Sequence, residues 1–292
     1  MLVGRARPQL DGADSINRGL VGFWPLSEGA GNIAIDLSPN RNTGIAENSV
    51  GRAATRYGKA ATFAGGGLGA ANVNLGTLGP FYSAQTNWAV SAWVRPTSFA
   101  TPGIVFSLYA GLGGGASQLA KLLYAEATTG ITTIYLTTSS GNYQSATGPA
   151  MTLNVWQHVG MSVTGPTSGP TVVIWVNQSS TSTTMAATGT PAAGMNHRIG
   201  SSDISLSGSN ISWTGRIGPV RVWSRGILPG ERARIFEDPW AGTAVPSRSA
   251  RYQGPVVPPA PIMGQGSIVT MPPDFGYPQP ITGSPPNPAI SA

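Results

Sequence analysis

The sequence contains no cysteine in 292 residues, and charged residues make up only 10% of it. The absence of cysteine excludes disulfide bonds, thiolate nucleophiles and zinc–sulfur sites. The 17 basic residues are nearly all arginines, scattered rather than gathered in runs, although the net charge is +6. A nucleic-acid-binding protein usually places its cations on one face with aromatic residues between them. We therefore expect no nucleic acid as a partner.

Long apolar runs are missing as well. No stretch approaches the roughly 20 apolar residues of a membrane-spanning helix, so we expect no membrane partner. The first residues include Arg5 and Arg7 but lack the apolar stretch of about 7–15 residues that a secretion signal requires. This predicts a chain that is made and folded in a cytoplasm. A secreted protein whose signal has been removed would look similar, but Met1 argues against that alternative.

Glycine and proline, by contrast, are abundant, with 40 and 25 residues, and there are eight tryptophans. This composition is typical of many short strands joined by tight turns around a large apolar core. Strand-like segments recur at Leu20–Leu26, Ala60–Ala64, Ala71–Leu75, Trp88–Val94, Ile104–Tyr109, Lys121–Ala125, Ile131–Thr137, Val155–Val163 and Thr171–Asn177. A helix competes over Ser117–Ala127, where three leucines fit a helical period, and we favour a strand from Leu122 onward.

The segment Trp213–Trp240 predicts a strand followed by a turn and one short helix. In the strand, Ile217 and Trp223 have the opposite parity to Val220. Either both faces of this strand are buried, or its register shifts at Gly218–Pro219.

The short helix is predicted between two prolines. Pro229 suits a first helical position because its missing N–H would be unpaired there anyway, and Pro239 ends the helix. This leaves about two to three turns, with Ile235 and Phe236 facing inward.

Several motifs occur in the order found in a known family. They are GLVGFWPLSEGAGNIAIDLSPNRNTG at 19–44, then GKAATFAGG, NWAVSAWVRPTS, NVWQHVGMSV and TVVIWVNQ, and finally GRIGPVRVWSRGIL from residue 215. In this order the motifs resemble the laminin-G-like (concanavalin A-like) jelly rolls over roughly residues 17–243. The resemblance implies an all-β fold, a two-sheet antiparallel jelly-roll sandwich with one short C-terminal helix.

Two segments outside the resemblance read as non-globular. Residues 1–16 are polar and predict an N-terminal arm. Residues 244–292 hold 12 of the 25 prolines and predict an extended tail without its own core. The apolar side chains of the tail suit an attachment segment that contacts a neighbouring virion subunit. The assembly contacts that we predict are Val256, Val257, Ile262, Met263, Ile268, Val269, Phe275 and Tyr277.

The sequence predicts no enzyme and no catalytic residue. Glycoside hydrolases of this fold use two carboxylates on one face of a strand, and none of the 11 Asp and Glu residues are spaced in that way. Glu126 is isolated, and Glu237 with Asp238 lies near the end of the helix. His158 is interpreted as a packed histidine satisfied by its neighbours. His197 is placed in a loop beside Arg198, a poor neighbour for a general base.

Calcium is the one metal that the resemblance brings into question. Hard cations need several oxygen ligands, and the positions where relatives often carry carboxylates read Gly218 and Ala64 here. Asp36 with Asn40 and Asn42 remains, but this group also suffices for an Asx turn. We therefore expect no bound metal and no cofactor.

Sugar binding without catalysis is the remaining chemistry. Carbohydrate sites on such folds stack a sugar ring on an exposed aromatic side chain and surround it with amides or hydroxyls. Tyr109, Tyr124, Tyr135 and Tyr143 lie in the Gly/Ser/Thr-rich middle of the chain and are the candidates. Tyrosines in a sandwich are equally often half-buried with only the hydroxyl in water, and this alternative stays open.

These observations favour a non-enzymatic bacteriophage virion surface protein, either a capsid decoration protein or a tail-associated one. Its jelly roll would face outward, with host-cell glycans as partners, while the arm and tail attach to other virion subunits. The expected location is a virion assembled in the host cytoplasm, or otherwise the extracellular space or cell surface. A bacterial lectin-like adhesin is the second hypothesis, and a glycoside hydrolase of the same fold is the third.

Overall fold

The computed structural model describes residues 9–55, 58–66, 70–78, 87–109, 119–137, 143–186, 196–201 and 211–244. At 108–109, 119–122, 137 and 143 this description covers the backbone alone. The chain divides after Ser247, and all described residues lie before that point. The predicted contacts of the tail, from Val256 to Tyr277, therefore lie outside the described residues. Within the described ranges, no helix is both long and apolar enough to cross a lipid bilayer.

Two large antiparallel sheets pack face to face. The first, which we call the open sheet, has the strand order β12 (Tyr143–Ala150), β11 (Ile131–Thr137), β10 (Leu119–Ala125), β9 (Gly103–Tyr109), β16 (Asn196–Ile199), β7 (Asn72–Gly76), β4 (Gly44–Glu47) and β3 (Ile33–Ala34). The second, the covered sheet, has the order β15 (Ser179–Thr184), β14 (Thr171–Val176), β13 (Gln157–Thr164), β8 (Trp88–Pro96), β17 (Thr214–Trp223), β6 (Gly58–Ala64) and β5 (Gly51–Thr55), with β2 (Leu20–Trp24) also paired to β17. This is the expected jelly-roll sandwich.

The main core lies between the sheets because alternate residues of each strand point inward. On β8, Val90, Ala92 and Val94 belong to this core, whereas Ala89 packs on the opposite face. Both faces of β8 are buried, as the two uncharged sets of this strand predict. Covered faces of this kind let an apolar strand occupy the middle of a sheet.

Strand β17 shows both features that its sequence allowed. Its register against β8 shifts between Ile217 and Val220, at the Gly218–Pro219 pair. Both of its faces are also buried, with Ile217 in the main core and Trp223 in the second cluster. A proline is tolerated at such a shift because no ladder hydrogen bond requires its missing N–H.

One α-helix, α1 (Pro229–Glu237), covers the outer face of the covered sheet. It begins and ends as the two prolines predict, and Ile235 is fully buried beneath it. The helix, β2 and the outward residues of β8, β14 and β17 enclose a second apolar cluster. Its largest members are Phe23, Trp175 and Trp223.

The described part of the expected N-terminal arm belongs to the fold. Gln9–Leu10 forms β1, which pairs with β18 (Thr243–Ala244). A short 3-10 helix, Ser15–Asn17, follows, and Ile16 in it is fully buried in the second cluster. From Gln9 onward the segment 1–16 is therefore part of the folded unit, with Leu10 and Ile16 both packed in or against the second cluster.

Eight of the described strands have no counterpart among the sequence predictions: β1, β3, β4, β5, β12, β15, β16 and β18. One of them corrects the loop prediction for His197, which lies on β16 and is fully buried. The four residues of β16 are strand because they fill the gap between β7 and β9, and His197 and Arg198 alternate inward and outward. Of the two alternatives for Ser117–Ala127, a helix and a strand, the structure shows the strand, β10.

His158 is packed as predicted, but it is not satisfied by hydrogen bonds. Its ring lies between Trp93 and Trp175, with both centroid distances 5.9 Å. Neither ring nitrogen has a hydrogen-bond partner among the described residues. Burial, followed by the charges of Arg221 and Arg232, lowers the pKa of His158 from 6.5 to about 3. The imidazole is therefore neutral in the fold at neutral pH.

This histidine predicts a pH-dependent stability. Below about pH 6.5 the unfolded chain binds a proton at His158 that the folded chain does not bind. The contribution of His158 to the free energy of unfolding is therefore fully present above that pH and is lost as the pH falls toward 3. Between about pH 6.5 and 4.5 the loss from one such group is roughly 2–3 kcal/mol. His158→Phe should remove this component of the pH dependence.

The measurement is urea unfolding of the native protein and of His158→Phe at pH 7, 6.5 and 4.5. Both side chains are uncharged in the fold at pH 7. The difference in free energy of unfolding between the two proteins at that pH therefore reports their difference in packing. An equal loss of stability on acidification in the two proteins would contradict the assignment.

Candidate functional site

The outer face of the open sheet carries the polar side chains that could contact a ligand. On β10 and β11, Leu123 and Ile134 point into the core, so Tyr124, Thr133 and Tyr135 point outward. No described helix packs on this face. Ile211, from the segment before β17, covers only the part around Tyr124.

Tyr124 and Tyr135 form a stacked pair on this face. Their ring centroids are 5.3 Å apart with an interplanar angle of 14°, and the Tyr124 hydroxyl donates to the Tyr135 hydroxyl at 3.1 Å. Tyr124 is 6% exposed, whereas Tyr135 is half-buried. Tyr124 therefore supports the pair from beneath, and Tyr135 is the member that presents surface to water.

Glu126 joins the tyrosine pair to a polar cluster. One oxygen of its carboxylate lies 3.2 Å from the Tyr124 hydroxyl and accepts a hydrogen bond from Thr133 at 2.9 Å. Burial, and then the hydrogen bond with Tyr135, raises the pKa of Tyr124 well above its ordinary value of 10. The hydroxyl thus stays protonated, and the cluster offers carboxylate and hydroxyl oxygens as acceptors.

A second polar cluster lies farther across the same face, on β4, β7 and β16. Nη1 of Arg198 donates to Glu47 at 2.8 Å and to Asn72 at 2.7 Å. Asn74 donates to the other Glu47 oxygen at 3.1 Å. Burial opposes ionisation of Glu47, but the hydrogen bonds from Asn74 and Arg198 outweigh it, and its pKa lies below the ordinary value. The result is an ordered ion pair that is only partly exposed.

The four candidate tyrosines lie on four adjacent strands of the open sheet. Tyr109 is on β9, Tyr124 on β10, Tyr135 on β11 and Tyr143 on β12. The structure brings Tyr124 and Tyr135 into contact, while the side chains of Tyr109 and Tyr143 lie outside the described part. The choice of these four residues as sugar contacts remains a prediction.

Sequence reasoning did not find the cluster around Arg198. Its members are distant in sequence, and their proximity depends on β7 lying between β4 and β16. One signal was available, because the alternation of Asn72, Val73, Asn74 and Leu75 is that of a strand with one wet face. That pattern indicates an exposed polar face but not the residues opposite it.

The carboxylates on this face are too far apart to work as a pair. Glu126 follows β10 and Glu47 ends β4, and four strand spacings separate these strands in the sheet. At about 4.8 Å per spacing the separation is roughly 19 Å. Paired carboxylates in glycoside hydrolases lie about 5–9.5 Å apart. Among the described residues this face therefore holds acceptors for hydrogen bonds, not an acid–nucleophile pair.

Asp36 lies apart from this face and is fully engaged. Its Oδ1 accepts hydrogen bonds from the amides of Phe23 and Ser38, and its Oδ2 accepts from the Ser38 hydroxyl and the Asn42 amide, all at 2.7–2.8 Å. The side chains of Asn40 and Asn42 both donate to the Val21 carbonyl. In the described ranges, no group of three or more acidic, histidine or cysteine residues could hold a metal ion.

This geometry predicts that Asp36 is a structural turn residue rather than a calcium ligand. Asp36→Asn should destabilise the fold by about 2–4 kcal/mol, because an amide nitrogen repels two of the four donors. Addition of EDTA or calcium should leave the melting temperature of the native protein unchanged.

Asp11→Asn is the matched control, because Asp11 is exposed and accepts a single local hydrogen bond. Thermal melts of the three proteins with and without EDTA test the prediction. A fall of several degrees on chelation that calcium reverses would contradict it.

The sequence and the fold were compared with known proteins. The family model described as the concanavalin A-like lectin/glucanases superfamily matches residues 66–231. No curated protein matches the sequence.

Solved structures with similar folds come from toxins and a polysaccharide-degrading enzyme. A botulinum neurotoxin type C structure, whose cell entry depends on two ganglioside molecules, is 12% identical with a TM-score of 0.56, over 76% of this chain and 51% of that chain. The binding domain of botulinum neurotoxin DC, in complex with SialylT, is 10% identical with a TM-score of 0.54, over 76% and 51%. Domain 4 of the arabinanase AbnA from Geobacillus stearothermophilus, in complex with arabinotriose, is 18% identical with a TM-score of 0.51, over 73% and 96%.

These identities show a shared fold and nothing finer. The chain spans about half the length of the neurotoxin structures.

Proposed function

Because the chain belongs to the concanavalin A-like lectin/glucanases superfamily, we propose that it is a non-enzymatic carbohydrate-binding protein of a bacteriophage virion surface. The open sheet would face outward and bind host-cell glycans. The protein would decorate the capsid or belong to the tail.

The stacked Tyr124–Tyr135 pair is the observation that carries the glycan-binding proposal. An aromatic ring supported from behind offers a flat apolar surface for the C–H face of a sugar. Glu126 places carboxylate acceptors beside it, and the buried Thr133 hydroxyl donates to this carboxylate and holds it in place. The complexes of AbnA domain 4 with arabinotriose and of a neurotoxin binding domain with SialylT support this class of ligand for the fold.

Binding without catalysis is favoured over hydrolysis by the carboxylate spacing. Glu126 and Glu47 lie about four strands apart, too far to share one glycosidic bond. Both are also engaged in hydrogen bonds with their neighbours. A hydrolase of the same fold would require a second carboxylate close to Glu126.

The virion assignment rests on the composition of residues 244–292. This segment combines 12 prolines with spaced apolar residues such as Ile262, Met263 and Phe275. A chain restricted by proline loses less entropy when it docks in an extended form, which suits attachment to another subunit. A bacterial lectin-like adhesin would share the glycan site but would not need this segment to join a particle.

The glycan site predicts that Tyr135→Ala abolishes most saccharide binding. Loss of the stacking surface should weaken affinity about tenfold or more, whereas Tyr135→Phe keeps the ring and should lose only a few-fold. A glycan array identifies the ligand, and titration calorimetry compares the variants.

Trp156→Ala is the control, because Trp156 is a half-buried aromatic residue just before β13 in the covered sheet. It should bind as the native protein does. Unchanged binding by Tyr135→Ala at an intact melting temperature would refute the site.

The attachment role predicts that deletion of residues 248–292 abolishes incorporation into the particle. The sandwich should stay folded and keep its glycan binding, since the deletion leaves the β1–β18 pair intact. Co-purification with assembled particles measures incorporation. Titration calorimetry with the glycan shows whether the truncated chain still binds it and is therefore folded. Full occupancy of the truncated chain would refute attachment through the tail while leaving the glycan site untouched.

A further inference from the structure

Strand β15 is an outer edge of the covered sheet, and the part of the chain that the structure describes gives it none of the common protections against pairing. Its sequence is Ser-Ser-Thr-Ser-Thr-Thr, and all six residues are exposed. It contains no charge and no proline, and its register with β14 runs without a shift over its full length. Natural proteins usually protect such edges because the unpaired backbone groups can recruit another strand.

Among the described residues, the other three strands that end the main strand orders of the two large sheets are protected. On the open sheet, β3 has only two residues, and β12 carries Pro149. On the far side of the covered sheet, β5 is mostly half-buried and carries Arg52, which pairs with Glu28 at 3.9 Å. The exposed and neutral β15 differs from these three end strands, which follow the usual rule.

The hairpin that ends in β15 fixes which of its backbone groups face outward. Val176 pairs with Ser179 across a two-residue turn, and such a flanking pair is hydrogen-bonded. Hydrogen-bonded pairs then alternate along the ladder, and the Met185 amide accordingly donates to the Pro170 carbonyl at 3.0 Å. The N–H and C=O groups of Ser180, Ser182 and Thr184 therefore point away from β14.

The open part of this edge has a defined end. The next outward amide along the chain, that of Ala186, donates to the side chain of Gln144 at 2.8 Å. Gln144 belongs to β12, which lies beside β15 across a polar groove of about 660 Å³. Three residues with outward backbone groups thus remain for a partner strand.

We propose that β15 is an interface at which two copies of this chain pair antiparallel about a twofold axis through Ser182. With the axis at this position, Ser182 pairs with Ser182 of the second copy, and Ser180 of each copy pairs with Thr184 of the other. All three outward residues of each strand then exchange N–H···O bonds, six in total by the antiparallel rule. This inference is independent of the proposed glycan binding.

A second copy fits this edge because the strand is complementary to itself. A twofold axis places each side chain near its own kind, and like charges directly opposite would destabilise the pair. Serine and threonine avoid that penalty and can hydrogen-bond across the strands. The contact is one short strand with little apolar area, so we expect a weak, concentration-dependent dimer.

A charge at the axis tests the proposal in the full-length chain. Ser182→Lys places two ammonium groups opposite each other in the dimer and should weaken self-association at least about tenfold. Ser168→Lys adds the same charge on an exposed turn and should associate as the native protein does. Sedimentation velocity over a range of concentrations measures all three proteins.

Cross-linking tests the register, since the chain has no cysteine of its own. Ser182→Cys should form a disulfide dimer on mild oxidation, because the paired Cα atoms would lie about 5.5 Å apart. Ser180→Cys should not, because its symmetry mates would be offset by four residues, roughly 13 Å.

Each of the other outcomes would overturn the proposal. These are a native chain that stays monomeric at every concentration, association unaffected by Ser182→Lys, and equal cross-linking at both cysteine positions. A monomer that captures an extended segment of another protein at β15 would likewise assign this edge to a different partner.

Discussion

The layer that covers the outer face of the covered sheet is organised around a buried cation. Arg221 on β17 is 1% exposed, and its guanidinium lies 4.1 Å above the ring of Phe23. One of its nitrogens donates to the carbonyls of Pro239 and Ala241, both at 2.9 Å. Burial lowers the pKa of Arg221 to about 9, although the carboxylates of Asp238 and Asp14 oppose this. A desolvated charge is tolerated only where acceptors are fixed around it, so the chain after α1 is held in one place.

Polar contacts around this cation join the two ends of the folded unit. The Trp223 indole donates to the Ile16 carbonyl at 2.6 Å, and Arg234 forms a two-bond ion pair with Asp14. Arg225 contacts both Glu231 and the Ser15 carbonyl. Residues before β2 and residues after β17 thus complete each other, and the second apolar cluster forms only when both are present.

The sequence predicts the apolar half of this architecture well and the polar half poorly. Strands such as β8 and β13, and the helix between two prolines, follow from local composition and turn chemistry. By contrast, β15 and β16 are polar and short, and they become strands because a neighbour offers backbone groups to pair with. The strand propensity of a segment does not indicate which neighbouring strand it will pair with.

The same limit applies to the candidate site. Tyr124 and Tyr135 could be selected because aromatic residues stand out in a Ser/Thr-rich region. Their contact depends on the pairing of β10 with β11, which the sequence does not state. Arg198 and Glu47 are 151 residues apart, and no local pattern relates two such positions.

The pairing of Gln9–Leu10 with Thr243–Ala244 has a mechanical consequence. The polypeptide enters and leaves the folded unit at the same point. Tension between the two ends would first open this two-residue ladder, one bond at a time. Behind this ladder, the Arg234–Asp14 ion pair and the hydrogen bond from Trp223 to the Ile16 carbonyl would have to break before the second cluster opens.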